Sequence, residues 1–248
     1  MSPSTAAFDL VMFDLDGTLI ETSPEIADAT NDTLAQFGLP LVTQQQVNGW
    51  IGHGTQTLLV QALATVQGIS QEAVRAAGNF AAISAAFVRH YEQRCGTRSH
   101  LYPQVREVLQ ALKGQGVKLA VVTNKEGRYT QVVLDAHRLA PAFDRVISGD
   151  TFATKKPTPV GIEACLAQFG VDRSRALFVG DSSIDAATAR NAGVPVWLLP
   201  YGYNMGEAIE RCNPDRVIAD FSALVAPDAG GQFAASVARQ MAYPGRKV

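Results

Sequence analysis

At 248 residues the chain is long enough to bury a large core, either as one domain or as one domain carrying an insertion. Charged residues are 18% and hydrophobic ones 47%, which excludes a disordered or fibrous chain. The net charge of −2 comes with no basic tract of the kind that reads phosphate backbones, so nucleic acid is not an expected partner.

Cys95, Cys165 and Cys212 are odd in number, widely spaced and free of CxxC pairing, which fits free thiols in a reducing compartment better than a disulfide frame or a zinc site. The amino terminus lacks a basic region followed by an apolar segment, and no run of about eighteen apolar residues occurs. The expectation is a soluble, cytoplasmic protein with no membrane partner.

The first element is the apolar run Leu10-Val11-Met12, followed by Phe13-Asp14-Leu15-Asp16-Gly17-Thr18-Leu19. It reads as a buried parallel strand that delivers carboxylates at its carboxyl end, where open α/β sheets place ligands. Residues two apart on a strand point the same way, so Asp14 and Asp16 converge if the backbone stays extended. Two like charges so close call for a cation, a shared proton or separate jobs, unless the pair only caps a turn.

Ser23-Pro24 then reads as an N-cap with proline at the first helical position, and helical spacing runs to Gly38. Helical patterns follow at about 43–50, 55–66 and 72–91, the last with a Phe80, Ile83, Phe87 and Tyr91 stripe that reads as core. No strand-like run interrupts this block, so it reads as an insertion between two hinges.

From Tyr102 onward strands (117–123, 145–148, 176–180, 194–199 and 216–219) alternate with helices (104–113, 127–138, 159–169 and 184–191). Such alternation predicts right-handed βαβ units: a Rossmann-like parallel sheet with helices on both faces, plus a small all-helical cap inserted after the first strand. The expected division is a core of residues 1–20 and 100–226, a cap of 21–99, and a tail of 227–248 with weak periodicity.

Three later strand ends are polar. Thr123-Asn124-Lys125 offers a hydroxyl, an amide and backbone N–H groups near a helix start, which suits a phosphate or an oxyanion, or else an N-cap. In Lys155-Lys156-Pro157, proline keeps Lys156 extended, where it can act as a point charge on a phosphoryl group; Lys155 reads as solvated. Gly180-Asp181-Ser182-Ser183-Ile184-Asp185 opens a helix with carboxylates four apart, sharing a face if both lie on the turn. Gathered with Asp14, these hard oxygens suit Mg²⁺, although Asp181 alone would also serve a helix dipole.

Together these segments resemble the four ordered motifs of the haloacid dehalogenase superfamily: Asp14-Leu15-Asp16-Gly17-Thr18, Thr123-Asn124, Lys156-Pro157, and Gly180-Asp181 with Asp185. The resemblance spans about residues 8–225, and the helical block resembles that superfamily's small cap. Trp50-Ile51-Gly52-His53-Gly54 and Tyr201-Gly202-Tyr203-Asn204-Met205-Gly206-Glu207 are similar to stretches of bacterial phosphoglycolate phosphatases.

The resemblance implies a phosphatase of a small phosphorylated metabolite. Asp14 would be the nucleophile that forms an aspartyl-phosphate, and Asp16 the acid and base. Thr123, Asn124 and Lys156 would bind the phosphoryl oxygens. Mg²⁺ would be held by Asp14, Asp181 and the backbone oxygen of Asp16, with Asp185 orienting Lys156 or the metal site. His53 is the expected specificity contact in the cap, with Arg75, Arg89, Arg94 and Arg98 as weaker candidates for a substrate carboxylate. The leading substrate is 2-phosphoglycolate. A sugar phosphate phosphatase, a phosphosugar mutase and a non-catalytic binding module stay open. A dehalogenase would not need Asp16, and a phosphonate hydrolase would need a cap lysine, whereas the first lysine of the chain is Lys113.

Overall fold

The computed structural model describes residues 8–225, so the expected tail lies outside the described residues. In chain order, β1 (Leu10–Phe13) leads to a short β2 (Ile20–Glu21). Five helices follow: α1 (Ser23–Gln36), α2 (Gln44–Asn48), α3 (Thr55–Gln67), α4 (Gln71–Ala76) and α5 (Phe80–Arg94). Then β3 (His100–Leu101) pairs antiparallel with β2, so the chain leaves and re-enters the sheet region along one two-stranded ribbon. Thereafter α6 (Val105–Gly114), β4 (Lys118–Val122), α7 (Gly127–Ala136), β5 (Arg145–Ile147), α8 (Val160–Phe169), β6 (Ala176–Gly180), α9 (Ser183–Ala192), β7 (Val196–Leu198) and β8 (Arg216–Val217) alternate.

The six-stranded sheet has the order β5-β4-β1-β6-β7-β8 and every pairing in it is parallel. The expected α/β fold is therefore the observed one. Period-two alternation explains why its central strands read as unbroken apolar runs. Val11, Phe13, Leu119, Val121, Leu177 and Val179 join one core, and Leu10, Met12, Ala120, Val122, Ala176 and Phe178 join the other. With both faces covered, polar residues are left to the strand ends, as with the exposed Lys118 that opens β4. Because β1 lies between β4 and β6, its carboxyl end faces the crevice where the order of connection reverses.

Two expectations about the helical block are corrected. The helix expected over 72–91 is two helices, because Ala77 turns extended ahead of Gly78 and Asn79, and the Phe80-to-Tyr91 stripe belongs to α5 alone. Ser23 is not the N-cap of α1 but its first residue, with Thr22 before it. The Thr22 hydroxyl is spent elsewhere, and the backbone N–H groups of Thr22 and Ser23 donate instead to the Tyr203 phenol oxygen at 3.1 and 3.0 Å. All three cysteines are buried free thiols. Among the described residues, no helix is long and apolar enough to cross a membrane.

Candidate active site

The residues that close β1, β4 and β6 meet at one end of the sheet. Asp14 continues β1 and donates its N–H to Val179 of β6 at 2.9 Å, while Thr123 continues β4 and donates to Ile147 of β5 at 2.9 Å. Asp181 follows β6 directly. Asp14, Asp181 and Asp185 each offer an oxygen within 4.8 Å of the others, and all three are buried.

Asp181 precedes α9 rather than sharing a helical face with Asp185. Asp185 is the third residue of that helix, and forms a reciprocal cap with Ser182. Its Oδ2 accepts the Asp181 and Ser182 N–H groups at 3.1 Å each and the Ser182 hydroxyl at 2.6 Å. Its Oδ1 accepts from Lys156 Nζ at 2.7 Å. Both oxygens are thus engaged, which fits an anchor for Lys156 better than a metal ligand. Asp181 accepts from the Thr18 hydroxyl and the Tyr203 N–H at 2.5 Å each. The loop crowds in so tightly that a Cβ on Gly17, whose φ is +86°, would lie 2.4 Å from Asp181 Oδ2.

Lys156 Nζ lies 2.7 Å from both Asp14 Oδ1 and Asp185 Oδ1. Burial acts to lower the lysine, but the two carboxylates outweigh it and hold it above its ordinary value. Asp14 is raised to about 6, by burial first, with Lys156 opposing and Asp185 adding. Asp181 is driven well above the carboxylate range by burial and by the charges of Asp185 and Asp14. Without a further cation, this corner holds more buried carboxylate than its one lysine balances. An all-oxygen acidic donor set with that imbalance fits Mg²⁺.

The carboxylate of Asp16 is not one of the three in this cluster. It accepts from Lys125 Nζ at 3.0 and 3.2 Å and from the Thr22 hydroxyl at 2.7 Å. Lys125 carries no role in the sequence reading beyond its backbone, yet its side chain is 1% exposed and its ammonium is committed to Asp16. A lysine immediately after a strand-end Thr-Asn pair was the only signal available.

Asp14, Asp16, Thr123, Asn124 and Lys125 form the polar side of a cleft of about 420 Å³, partly open to solvent. Ile26, Ile51, Gly52, Gly54, Thr55 and Leu58 of the helical block form the opposite wall. Lys156 lines a smaller neighbouring cleft together with Thr123. Core side chains hold the wall in place: Asn124 Nδ2 donates to Gly52 O at 2.9 Å, Lys155 Nζ to His53 O at 2.6 Å, and Thr55 Oγ1 to Glu126 at 2.8 Å. Lys155 is exposed, as expected, and its ammonium also binds the cap loop.

His53 contributes its carbonyl to that contact, while its imidazole is absent from the cleft lining among the described residues. The imidazole of the expected specificity contact thus stands outside the residues that line this cleft. Replacing His53 by Ala is accordingly expected to change kcat/KM by no more than about two-fold, the scale of an ordinary surface substitution, for both a metabolite and a generic aryl phosphate. Steady-state kinetics on the two substrates checks this. The arginines are also elsewhere: Arg94 and Arg98 pair with Asp32 and Asp28, and Arg75 and Arg89 bond within their own helices.

Comparison with known proteins agrees with this architecture. Residues 11–199 match the family described as haloacid dehalogenase-like hydrolase. A phosphoglycolate phosphatase of Aliivibrio fischeri is 38% identical over 221 residues, covering 88% of this chain and 95% of its own. One from Pseudomonas savastanoi pv. phaseolicola is 39% identical over 219 residues, covering 87% of this chain and 78% of its own. The crystal structure of a predicted phosphoglycolate phosphatase from Haemophilus somnus superposes with a TM-score of 0.82 at 34% identity, covering 89% of this chain and 97% of that one. A family match that runs from β1 past β7, on a sheet whose strand ends gather the four motifs, makes this chain an enzyme of the haloacid dehalogenase-like hydrolase family.

Proposed function

We propose that the protein is a Mg²⁺-dependent phosphatase of a small cytoplasmic phosphomonoester, with 2-phosphoglycolate as the leading substrate. The observation that carries this reading is the convergence of Asp14, Asp16, Thr123 and Asn124 on one small cleft. The substrate assignment is supported by relatives of that name at 38–39% identity over nearly nine-tenths of the chain.

In this scheme an Asp14 oxygen attacks phosphorus, the bond from phosphorus to the leaving oxygen breaks, and Asp16 supplies the proton to that oxygen. Asp16 then takes a proton from water as the water oxygen attacks the aspartyl-phosphate, which releases inorganic phosphate and restores Asp14. Thr123, the Asn124 backbone N–H and Lys156 hold the remaining phosphoryl oxygens, Lys156 reaching them beside the Asp14 carboxylate that it already touches. Asp14 and Asp181 side chains, with the Asp16 backbone oxygen, would hold Mg²⁺, and Asp185 fixes Lys156. When bound, the ion would offset the charge that otherwise keeps a carboxylate from approaching a phosphate dianion. The helical block, residues 21–99, acts as a cap that excludes bulk water.

The expected result is phosphate release that disappears on chelation with EDTA, returns with Mg²⁺, and shows its highest kcat/KM for 2-phosphoglycolate within a panel of sugar phosphates, a nucleotide and a phosphopeptide. Preference for a sugar phosphate would keep the chemistry and discard the substrate. Silence across the panel in the presence of Mg²⁺ would leave a binding module.

A further inference from the structure

As the proposed acid, Asp16 delivers a proton to the leaving oxygen, and two side chains donate to its carboxylate. One hand is Thr22, at the junction of β2 and α1, whose hydroxyl donates to Oδ1 at 2.7 Å. The other is Lys125, which follows β4 and reaches both carboxylate oxygens at 3.0 and 3.2 Å. Lys125 is itself fixed from the helical block, because its Nζ donates to the phenol oxygen of Tyr91 on α5 at 2.5 Å. Tyr91 cannot swing away: it is fully buried, its ring is 4.4 Å from that of Tyr129 and 5.8 Å from that of Phe87.

An ammonium carries three N–H donors, and those directed at Asp16 and Tyr91 fix the rotation of the whole group. We propose that Tyr91 and Lys125 are positioning residues that aim Asp16 at the leaving-group oxygen, so that proton transfer depends on α5 being seated against α7. Neither touches the reacting atoms in this scheme. A neutral lysine substitute would leave Asp16 held by Thr22 alone, and removing the Tyr91 hydroxyl would free the ammonium to turn.

The inference rests on the phosphatase reading, and leaving-group chemistry separates the two. An activated ester such as 2,4-dinitrophenyl phosphate needs no proton on departure, whereas phenyl phosphate does. Tyr91→Phe keeps the ring and its packing. In this variant kcat/KM for phenyl phosphate is expected to fall at least about ten-fold, a part of the 10²–10⁴-fold that general acid catalysis contributes in full. For the dinitrophenyl ester kcat/KM is expected to stay within about three-fold, while kcat falls and a burst of dinitrophenol appears, because Asp16 is still needed as base in the second step. Lys125→Gln should show the same pattern more strongly, and Tyr91→Phe decides alone if that variant does not fold by its thermal melt.

Equal losses in kcat/KM for both esters, or no loss for either, would overturn the positioning role. So would a loss that follows a carboxylate on the substrate rather than the leaving group, which would make Lys125 a substrate contact. If the unaltered protein hydrolyses neither ester with Mg²⁺, the phosphatase reading itself fails and this inference goes with it.

Discussion

Asp14→Asn is expected to fold and to lose at least about 10³-fold in turnover, the scale of removing a key charge-stabilising group; an amide cannot carry the phosphoryl group through a covalent intermediate. The same variant has a stability signature that a bystander residue would not give. Burial, opposed by Lys156 and aided by Asp185, raises Asp14 from 3.8 to about 6 in the folded protein. The fold therefore keeps a proton that the unfolded chain has released, and stability falls as pH rises from about 4 to about 6. Above that window the ionised carboxylate costs the metal-free protein on the order of 3 kcal/mol. Asparagine removes this cost, so without metal the variant should melt above the parent near about pH 7.5, and the difference should vanish by about pH 3. Added Mg²⁺ should raise the parent's melting temperature more than the variant's. A variant that keeps near-normal turnover would remove the covalent scheme, and one that melts lower at every pH would remove the account of Asp14 as a buried, under-compensated charge.

What could be read from the sequence follows from which forces are local. β1, β4 and β6 were legible because a strand buried on both faces must be apolar throughout, and so the first polar residues, Asp14, Thr123 and Asp181, announce its carboxyl end. The α4–α5 break escaped because hydrophobic spacing continues across it, although Gly78-Asn79 was an available signal. β2 and β3 are two residues each, too short for any period to register. Ser23 looked like a cap because Ser-Pro is a common helix start, yet the Tyr203 phenol from the far end of the chain performs that task. Lys125, Thr22 and Tyr91 converge on Asp16 only after β4, the hinge and α5 are packed, so the group that aims the candidate acid had no sequence signature of its own. His53 stood out for the opposite reason. Flanking glycines made it conspicuous, but it is Gly52, Gly54 and Thr55 that line the cleft, and His53 meets the core through its carbonyl.

Lys156→Met should be the most destabilising single change in the site, because it leaves the shape of the side chain and removes the one cation between Asp14 and Asp185, each 2.7 Å from it. Breaking a buried ion pair by deleting one partner costs about 3–5 kcal/mol. Here the cost must depend on pH. Burial already holds Asp14 up near 6, and the loss of Lys156, which pulls against that, drives it higher still. The folded variant then retains the Asp14 proton to higher pH, so its deficit is least in acid and grows as pH rises from about 6 towards the new value. Chemical denaturation at about pH 5 and about pH 8 measures this, and a deficit that is equal at both would mean that packing rather than charge is lost. Turnover should drop by about 10²–10³-fold in the surviving folded fraction. Asp185→Asn separates the anchor from a ligand. If Asp185 serves Lys156, combining the two substitutions costs less than the sum of the singles, since each alone strands the other member of the pair, and Mg²⁺ still binds the Asp185→Asn protein. Additive losses with Mg²⁺ binding abolished would instead make Asp185 a metal ligand, in spite of the three donors that already occupy its Oδ2.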